Sequence, residues 1–311
     1  MAFSFVLFLQ KKFVSSDKGF VLRKFNNTYL RKPPWLRTRL TEATEYGQIS
    51  RRLRSANLHT ICESGACPNK GECWGRGTAT FMILGNICTR SCRFCNVTTG
   101  RPHAPDPGES EEVAKTVAQM GVKHCVITSV DRDDLDDGGA GHWADTISKI
   151  KQQSPHTTIE ALIPDFKGEE KDIQQVMNAA PEIISHNLET VRELTKPVRV
   201  YASYERSLQV LKYIAENSSI RTKSGIMLGL GETEEEILET MDDLRAVNCQ
   251  VITIGQYLQP SKDSLPVQKY IHPDDFLRYG KIALKKGFLH AESAPLVRSS
   301  YQAEKHIPAR K

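Results

Sequence analysis

Six of the chain's eight cysteines fall between positions 62 and 95 and form two triplets. Cys62, Cys67 and Cys73 are spaced C-x4-C-x5-C in "ICESGACPNKGECWG", and Cys88, Cys92 and Cys95 are spaced C-x3-C-x2-C in "ICTRSCRFCNV". Such spacing lets one loop turn several thiolates toward one centre, and Gly65, Gly71 and Gly75 allow the first loop to bend as it must. Structural zinc takes four protein ligands, typically from a pair of C-x2–4-C knuckles, and neither triplet makes that pair. Pooling the six thiols into two zinc sites would need outside ligands such as His59 or His103. A four-iron cluster takes a ligand at each iron, so three cysteines leave one iron open to a ligand of another kind. Cys125 and Cys249 stand in or beside apolar runs and read as small buried hydrophobes.

Loops of this kind need a frame. From about residue 79, "TATFMILG" (78–85), "HCVITSV" (124–130), "TIEALI" (158–163), "EIISHN" (182–187), "SGIMLGL" (224–230) and "QVITIGQYL" (250–258) read as strands bounded by Gly, Pro and charge. Between them apolar residues recur at helical spacing: Val113, Val117 and Met120; Trp143, Ile147 and Ile150; Ile173, Val176 and Met177; Leu208, Leu211 and Ala215; Ile237, Met241 and Leu244. Thr233 three residues before Glu236 has the form of a capping box, and Pro273 and Gly287 bracket a sixth helix. Strands alternating with helices give parallel βα units with right-handed crossovers. Either an open doubly wound sheet or an incomplete (β/α) barrel fits that pattern. Residues 1 to about 60 lack the rhythm, and "RKPPWLRTRL" with its paired prolines reads as an extended surface segment.

At 311 residues the chain can bury a large core, and no apolar run reaches the roughly 18 residues of a membrane-spanning helix. "MAFSFVLFLQ" is too short to span, has no cleavage site after it and carries Lys11 and Lys12 on the wrong side for a signal peptide. Without secretion the thiols are expected reduced, so their spacing concerns metals rather than disulfides. Residues 1–58 hold 12 Lys/Arg against 3 Asp/Glu, while the rest of the chain holds 30 against 34. The basic start suits a targeting extension, a nucleic-acid arm or a dock for an acidic protein. As a mitochondrial presequence it is poor, with Asp17, Lys ahead of Arg, and few Ala.

C-x3-C-x2-C at the end of a first strand, with the aromatic Phe94 before its last Cys and βα units following, resembles the radical S-adenosylmethionine superfamily. The first triplet, together with "KPPWL", "GECWGRGTATFMILG", "CNVTTGRP", "SVDRDDLDDGGA", "HNLETV", "YERSL" and "PLVRSSY", resembles the lipoyl synthase family from about Lys32 to Ala303. The resemblance implies an α/β fold, a partial (β/α)6 TIM-type barrel with an N-terminal cysteine-rich extension. Its parts would be a basic extension (1–58), an auxiliary-cluster loop (59–78), a radical SAM partial barrel (79–288) and a C-terminal segment with the RSSY motif (289–311). It implies two [4Fe-4S] clusters and S-adenosyl-L-methionine. Cys88, Cys92 and Cys95 would hold the cluster that binds and cleaves S-adenosylmethionine. Cys62, Cys67 and Cys73 would hold an auxiliary cluster, with the Ser300 oxygen on its fourth iron and Ser299 alongside. That cluster would supply two sulfurs to C6 and C8 of a protein-bound octanoyl-lysine.

An unactivated methylene cannot be deprotonated by any side chain, so general acid/base catalysis is excluded and a carbon radical is needed. A serine oxygen, harder than thiolate, suits a position that must let go of iron. From its residues alone Ser300 would be a turn or capping serine. The implied partners are octanoylated lipoyl carrier domains (2-oxoacid dehydrogenase E2 subunits and the glycine cleavage H protein), a reduced ferredoxin or flavodoxin, and an iron-sulfur carrier that rebuilds the consumed cluster. A monomer in the cytoplasm, or alternatively the mitochondrial matrix, is expected, with no nucleic-acid or membrane partner.

Further candidates follow from strand ends, where barrel active sites form. Asn187 and Glu189 in "HNLET" are expected to contact S-adenosylmethionine, as is Phe94. "GIMLGLGET" (225–233) lacks the Lys and spacing of a P-loop; in the superfamily the matching strand lies beside the adenosine, which makes Gly229, Gly231 and Glu232 cofactor neighbours. Asp131, Arg132, Asp133 and Asp134 form a cluster that could hold magnesium, and Arg298 is expected to organise the terminal segment. Asp136 stands where the family frequently has proline, and Ala294 where it has glycine, which would remove a permissive backbone position before the serines. Two other functions fit parts of the pattern. A methylthiotransferase-like enzyme would want an added nucleic-acid-binding domain, and a zinc-stabilised nucleic-acid-binding protein would want a basic-aromatic patch; neither is found.

Overall fold

The computed structural model describes residues 25–26, 30–37, 44–75 and 78–307. The signal-like run and most of the basic extension lie outside the described residues. The paired prolines open a single 3-10 turn, Pro34–Leu36, that buries Leu36. Helix α1 (Thr44–Ser55) follows, in a stretch expected to lack helical rhythm. Its core face holds Ile49 and Leu53, one turn apart, and two apolar positions among arginines make too faint a period to read.

Strand β1 (His59–Thr60) leads into the first triplet, carried by the short helices α2 (Ile61–Ser64) and α3 (Lys70–Gly75). Thr60 caps α2 by accepting the Glu63 N–H. Strand β2 (Thr80–Ile83) ends just before the second triplet, whose loop is pinched by the two-residue pair β3 (Ile87–Cys88) and β4 (Thr98–Thr99). The alternation then runs α4 (Glu109–Met120), β5 (His124–Ser129), α5 (Ala140–Gln153), β6 (Thr158–Leu162), α6 (Glu170–Asn178) and β7 (Ile183–Ser185). It continues through α7 (Arg192–Val198), α8 (Tyr204–Asn217), β8 (Arg221–Leu228), α9 (Glu234–Ala246), β9 (Val251–Gln256), α10 (Pro273–Lys285) and β10 (His290–Ser293). The expected capping box is formed at Thr233 and Glu236.

Strand order separates the two fold classes left open by periodicity. The sheet runs β1-β2-β5-β6-β7-β8-β9-β10, in chain order throughout. A doubly wound sheet reverses its order at a switch point, whereas a barrel does not. All neighbours from β2 to β10 are parallel, and β1 adds one antiparallel strand at the edge. Among the described residues β1 and β10 do not pair, so the barrel is partial. The six expected strands all form; β10, a seventh parallel strand, was not expected because "HAES" has no apolar run and its residues are only half-buried.

The barrel interior is layered. Glu160, Ser185 and Lys223 meet inside it, with the Lys223 ammonium 2.8 Å from the Glu160 carboxylate and the Ser185 hydroxyl donating to it at 2.6 Å. Side chains two residues apart on a strand share a face. Leu162, Asn187 and Gly225, two positions further along the same strands, line a cavity at the strand ends.

Candidate active site

That cavity measures about 570 Å³ and opens at the C-terminal ends of the parallel strands. It falls in the range that takes a cofactor-sized ligand. Cys88, Cys92 and Cys95 line one side, Cys62 and Cys67 another, and Ser299 and Ser300 close it from the terminal segment. Cys73, on α3, does not line it. Among the described residues no three Cys, His, Asp or Glu side chains converge on an ion-sized point. Thiols spread around a cavity suit a cluster several ångströms across better than a tetrahedral zinc ion, whose sulfurs sit about 2.3 Å from one centre.

Backbone N–H groups point at the second triplet: Cys88 Sγ accepts from Asp131 N at 3.3 Å and Arg90 N at 3.4 Å, and Cys95 Sγ from Val97 N at 3.4 Å. Hydrogen bonds to sulfur are a recognised means of tuning a cluster. Burial pushes the thiols of Cys88 and Cys92 up to about 12, and those of Cys62 and Cys95 upward as well. Near neutrality these groups are therefore protonated until iron displaces the protons.

The carboxylates after β5 have another use than magnesium. Arg90, inside the second triplet and almost wholly buried, donates to Asp133 through Nε at 2.7 Å and Nη2 at 2.8 Å, and to Asp165 at 2.7 Å. Asp131 lies 3.4 Å from the same guanidinium. Arg132 takes Asp134 with two bonds of 2.9 Å. Against the upward push of burial, Arg90 holds Asp165 down at about 2. The cluster is an arginine clamp that fixes the thiol loop to the ends of β5 and β6. Arg90 was not singled out from the sequence, because its partner Asp165 lies 75 residues away.

Two contacts join the terminal segment to the first triplet's loop: Asn69 Nδ2 donates to Leu296 O at 2.7 Å, and the Tyr301 hydroxyl to Glu72 at 3.3 Å. Ser299 and Ser300 are the central residues of a turn closed by Tyr301 N–H to Arg298 O at 2.9 Å. The turn reading and the cavity position therefore coexist. Arg298 is half-buried near Cys67 and Glu189, and desolvation there pushes its guanidinium below the usual arginine range. Ala294 is not in the left-handed region, so no glycine is required there. Asp136 is exposed on its loop.

The expected S-adenosylmethionine contacts divide. Phe94, Asn187 and Glu189 line the cavity. Asn187 Nδ2 donates to Glu189 at 3.0 Å, while Asn187 Oδ1 is buried with no hydrogen-bond partner among the described residues, an acceptor that a bound group would satisfy. Glu189 adopts a left-handed φ of 66°, and burial pushes its carboxyl above the usual range. A Cβ on Gly225 would lie 2.5 Å from Thr253 Oγ1, so this floor position admits no side chain. Gly229 and Glu232 do not line the cavity. The Glu232 carboxylate folds back onto the N–H groups of Gly229 and Leu230, and a Cβ on Gly229 would meet Lys269 O at 2.4 Å. They brace the loop after β8 rather than face the open space.

Comparison with known proteins agrees with this geometry. Residues 82–244 match the radical SAM superfamily model, and residues 10–67 match the model for the N-terminal domain of lipoyl synthase of the radical SAM family. The chain is 56% identical over 276 residues to the lipoyl synthase of Christiangramia forsetii, covering 89% of this chain and 94% of that one. It is also 56% identical to the mitochondrial lipoyl synthase of Nematostella vectensis, over 89% of this chain and 95% of the relative. Its fold resembles that of the FeFe-hydrogenase maturase HydG from Carboxydothermus hydrogenoformans, with a TM-score of 0.53 at 14% identity, covering 84% of this chain and 76% of that one.

Proposed function

The chain belongs to the lipoyl synthase family of the radical S-adenosylmethionine superfamily, and from that premise we propose that its cavity converts a carrier-bound octanoyl-lysine to the lipoyl form. S-adenosylmethionine and a [4Fe-4S] cluster go with the superfamily. A second cluster, its ligands and the choice of carrier are our inference. The observation that carries it is that both cysteine loops and Ser300 border one cavity.

The donor set fits the groups. Cys88, Cys92 and Cys95 would hold the cluster that takes S-adenosylmethionine. Cys62 and Cys67, with Cys73 brought in from α3 and the Ser300 oxygen, would hold the auxiliary one. When bound, these groups supply a radical able to take hydrogen from unactivated methylenes and the sulfur that replaces it at C6 and C8. The protein's share is placement and exclusion of water. Backbone N–H groups set the charge felt by the Cys88 and Cys95 sulfurs. Arg90 anchors the loop that bears them, and Asn187 and Glu189 offer an amide oxygen and a carboxylate to the amino group of S-adenosylmethionine. Phe94 and Met227 give the cavity apolar wall that an octanoyl chain can lie against.

The carrier is an octanoylated lipoyl domain of an E2 subunit or the glycine cleavage H protein, the electron donor a reduced ferredoxin or flavodoxin, and an iron-sulfur carrier restores the spent cluster. The bacterial relative supports a cytoplasmic setting. Among the described residues no helix is long and apolar enough to cross a membrane.

The test is single-turnover chemistry on an octanoyl-lysine peptide with S-adenosylmethionine and a strong reductant under anaerobic conditions. Wild type should form 5′-deoxyadenosine and a product bearing two sulfurs, while Cys62→Ala should keep the first product and lose the second. Sulfur insertion by Cys62→Ala at the wild-type level would remove the auxiliary-cluster assignment.

A further inference from the structure

The stretch that carries Ser299 and Ser300 is fixed at both ends, and its far end lies well away from the cavity. At the near end Gln256 N–H donates to Pro295 O at 3.1 Å, Asn69 holds Leu296 O, and the Val297 carbonyl packs against Gly255. At the far end the turn Ala303–His306 crosses to the beginnings of the strands, touching β5. His306 is wholly buried there. Its ring centroid is 5.8 Å from that of His290, the first residue of β10, and its Nε2 is 4.0 Å from Glu292. Lys223, Glu160 and His124 are close enough for their charges to act on it. Arg221, the first residue of β8, donates to the His306 carbonyl at 2.7 Å.

Among the described residues neither ring nitrogen of His306 has a hydrogen-bond partner, and the ring is held by packing in the base of the barrel and by the backbone tie from Arg221. His306 is six positions after Ser300, and between the two anchors the turn that presents the serines is closed by the Arg298–Tyr301 bond, with the Tyr301 hydroxyl on Glu72.

We propose that His306 is a positioning residue for sulfur insertion: seated in the strand-start end of the barrel, it tethers the Arg298–Tyr301 turn so that Ser300 stays at the first triplet. The proposal rests on Ser300 being a ligand of the auxiliary cluster. His306 touches neither substrate nor cofactor. Freed from its seat, the turn would lose its hold at the strand starts and shift on the Pro295–Val297 anchor, leaving the first cluster and S-adenosylmethionine cleavage intact.

The test compares wild type, Ser300→Ala, His306→Ala and Arg221→Gln as full chains. In the cluster-free proteins, hydrogen exchange at the Ser299–Tyr301 amides should speed by about tenfold or more in His306→Ala and Arg221→Gln, with the amides of β5 and β8 unchanged. In the reconstituted proteins the Mössbauer signal of an oxygen-ligated iron should vanish in Ser300→Ala and weaken in the two tether variants, while 5′-deoxyadenosine formation stays within about twofold of wild type. Wild-type exchange and a wild-type signal in both tether variants would overturn the proposal. So would loss of S-adenosylmethionine cleavage in both, which would make His306 a support of the whole fold. A Ser300→Ala protein that keeps the oxygen-ligated signal would instead remove the ligand reading on which the proposal stands, and the proposal with it.

Discussion

Gly255→Ala tests the seat of the terminal segment with a single methyl group. Gly255 lies near the end of β9, and a Cβ built there falls 2.1 Å from the Val297 carbonyl oxygen and 3.1 Å from its carbon. Ordinary van der Waals contact begins at 3.4 Å, so the carbonyl must retreat by more than about 1 Å. The strand resists giving way instead, because Gly255 pairs with Met227 in the parallel ladder to β8 and is flanked by the paired Ile254 and Gln256. The displaced atom is three residues from Ser300. A misplacement of about 1 Å in a positioned group costs about a hundredfold in rate, and overpacking a tight contact costs about 1–3 kcal/mol of stability. The expected result is a modest fall in the melting midpoint, S-adenosylmethionine cleavage near wild type, and sulfur insertion down by about two orders of magnitude. Gly47→Ala, on α1 with nothing within 4 Å of its Cβ, is the control and should change neither activity. Wild-type sulfur insertion by Gly255→Ala would refute the idea that the segment's placement against β9 sets the serine's position.

Arg90→Met should cost about 3–5 kcal/mol, since it leaves the buried Asp165 with the Lys167 N–H at 3.0 Å and the Arg206 guanidinium at 3.2 Å, and Arg90→Lys should not rescue it because one ammonium cannot make the bidentate contact with Asp133; thermal melts and retained iron report both. Lys223→Met should destabilise by a similar amount by leaving Glu160 charged and unpaired, whereas Lys223→Met with Glu160→Leu should recover most of the loss, as chemical denaturation would show. In the cluster-free chain the Cys88 and Cys92 thiols lie above their ordinary value of 9.0, at about 12, so the folded form keeps protons that the unfolded form releases. Its stability should therefore be full below about pH 9 and fall as pH rises toward 12, and loading the clusters should flatten that dependence, leaving the contribution of Cys125 and Cys249.

Local patterns carried far in this chain and long-range ones did not. The second triplet was legible because its three cysteines sit on one short loop, and the strands from Thr80 to Gln256 because they are apolar runs between helical periods. Strand β10 was hidden: "HAES" joins the sheet through its backbone ladder to Val251–Ile254, with little apolar surface of its own. The arginine clamp was hidden for a different reason. Sequence placed several carboxylates after β5, but their partner Arg90 and the more distant Asp165 are brought to them only by the parallel pairing of β2, β5 and β6. Glu160 did leave a trace, a charge inside an apolar run, while Lys223 stands just before one, and the structure shows them as one buried pair in which burial would raise the Glu160 carboxyl but the attraction of Lys223 keeps it down at about 2. Glycine-rich sequence after β8 pointed to the cofactor, yet Gly229 and Glu232 serve the loop itself.

The central claim, two clusters with divided roles in one cavity, is tested most directly by iron and sulfide content with an absorption spectrum on anaerobically reconstituted protein, comparing wild type with the Cys62→Ala, Cys67→Ala, Cys73→Ala triple variant. The account predicts about eight irons falling to about four, with S-adenosylmethionine cleavage kept and sulfur insertion lost. Zinc in place of iron, or no loss of iron in the variant, would contradict it.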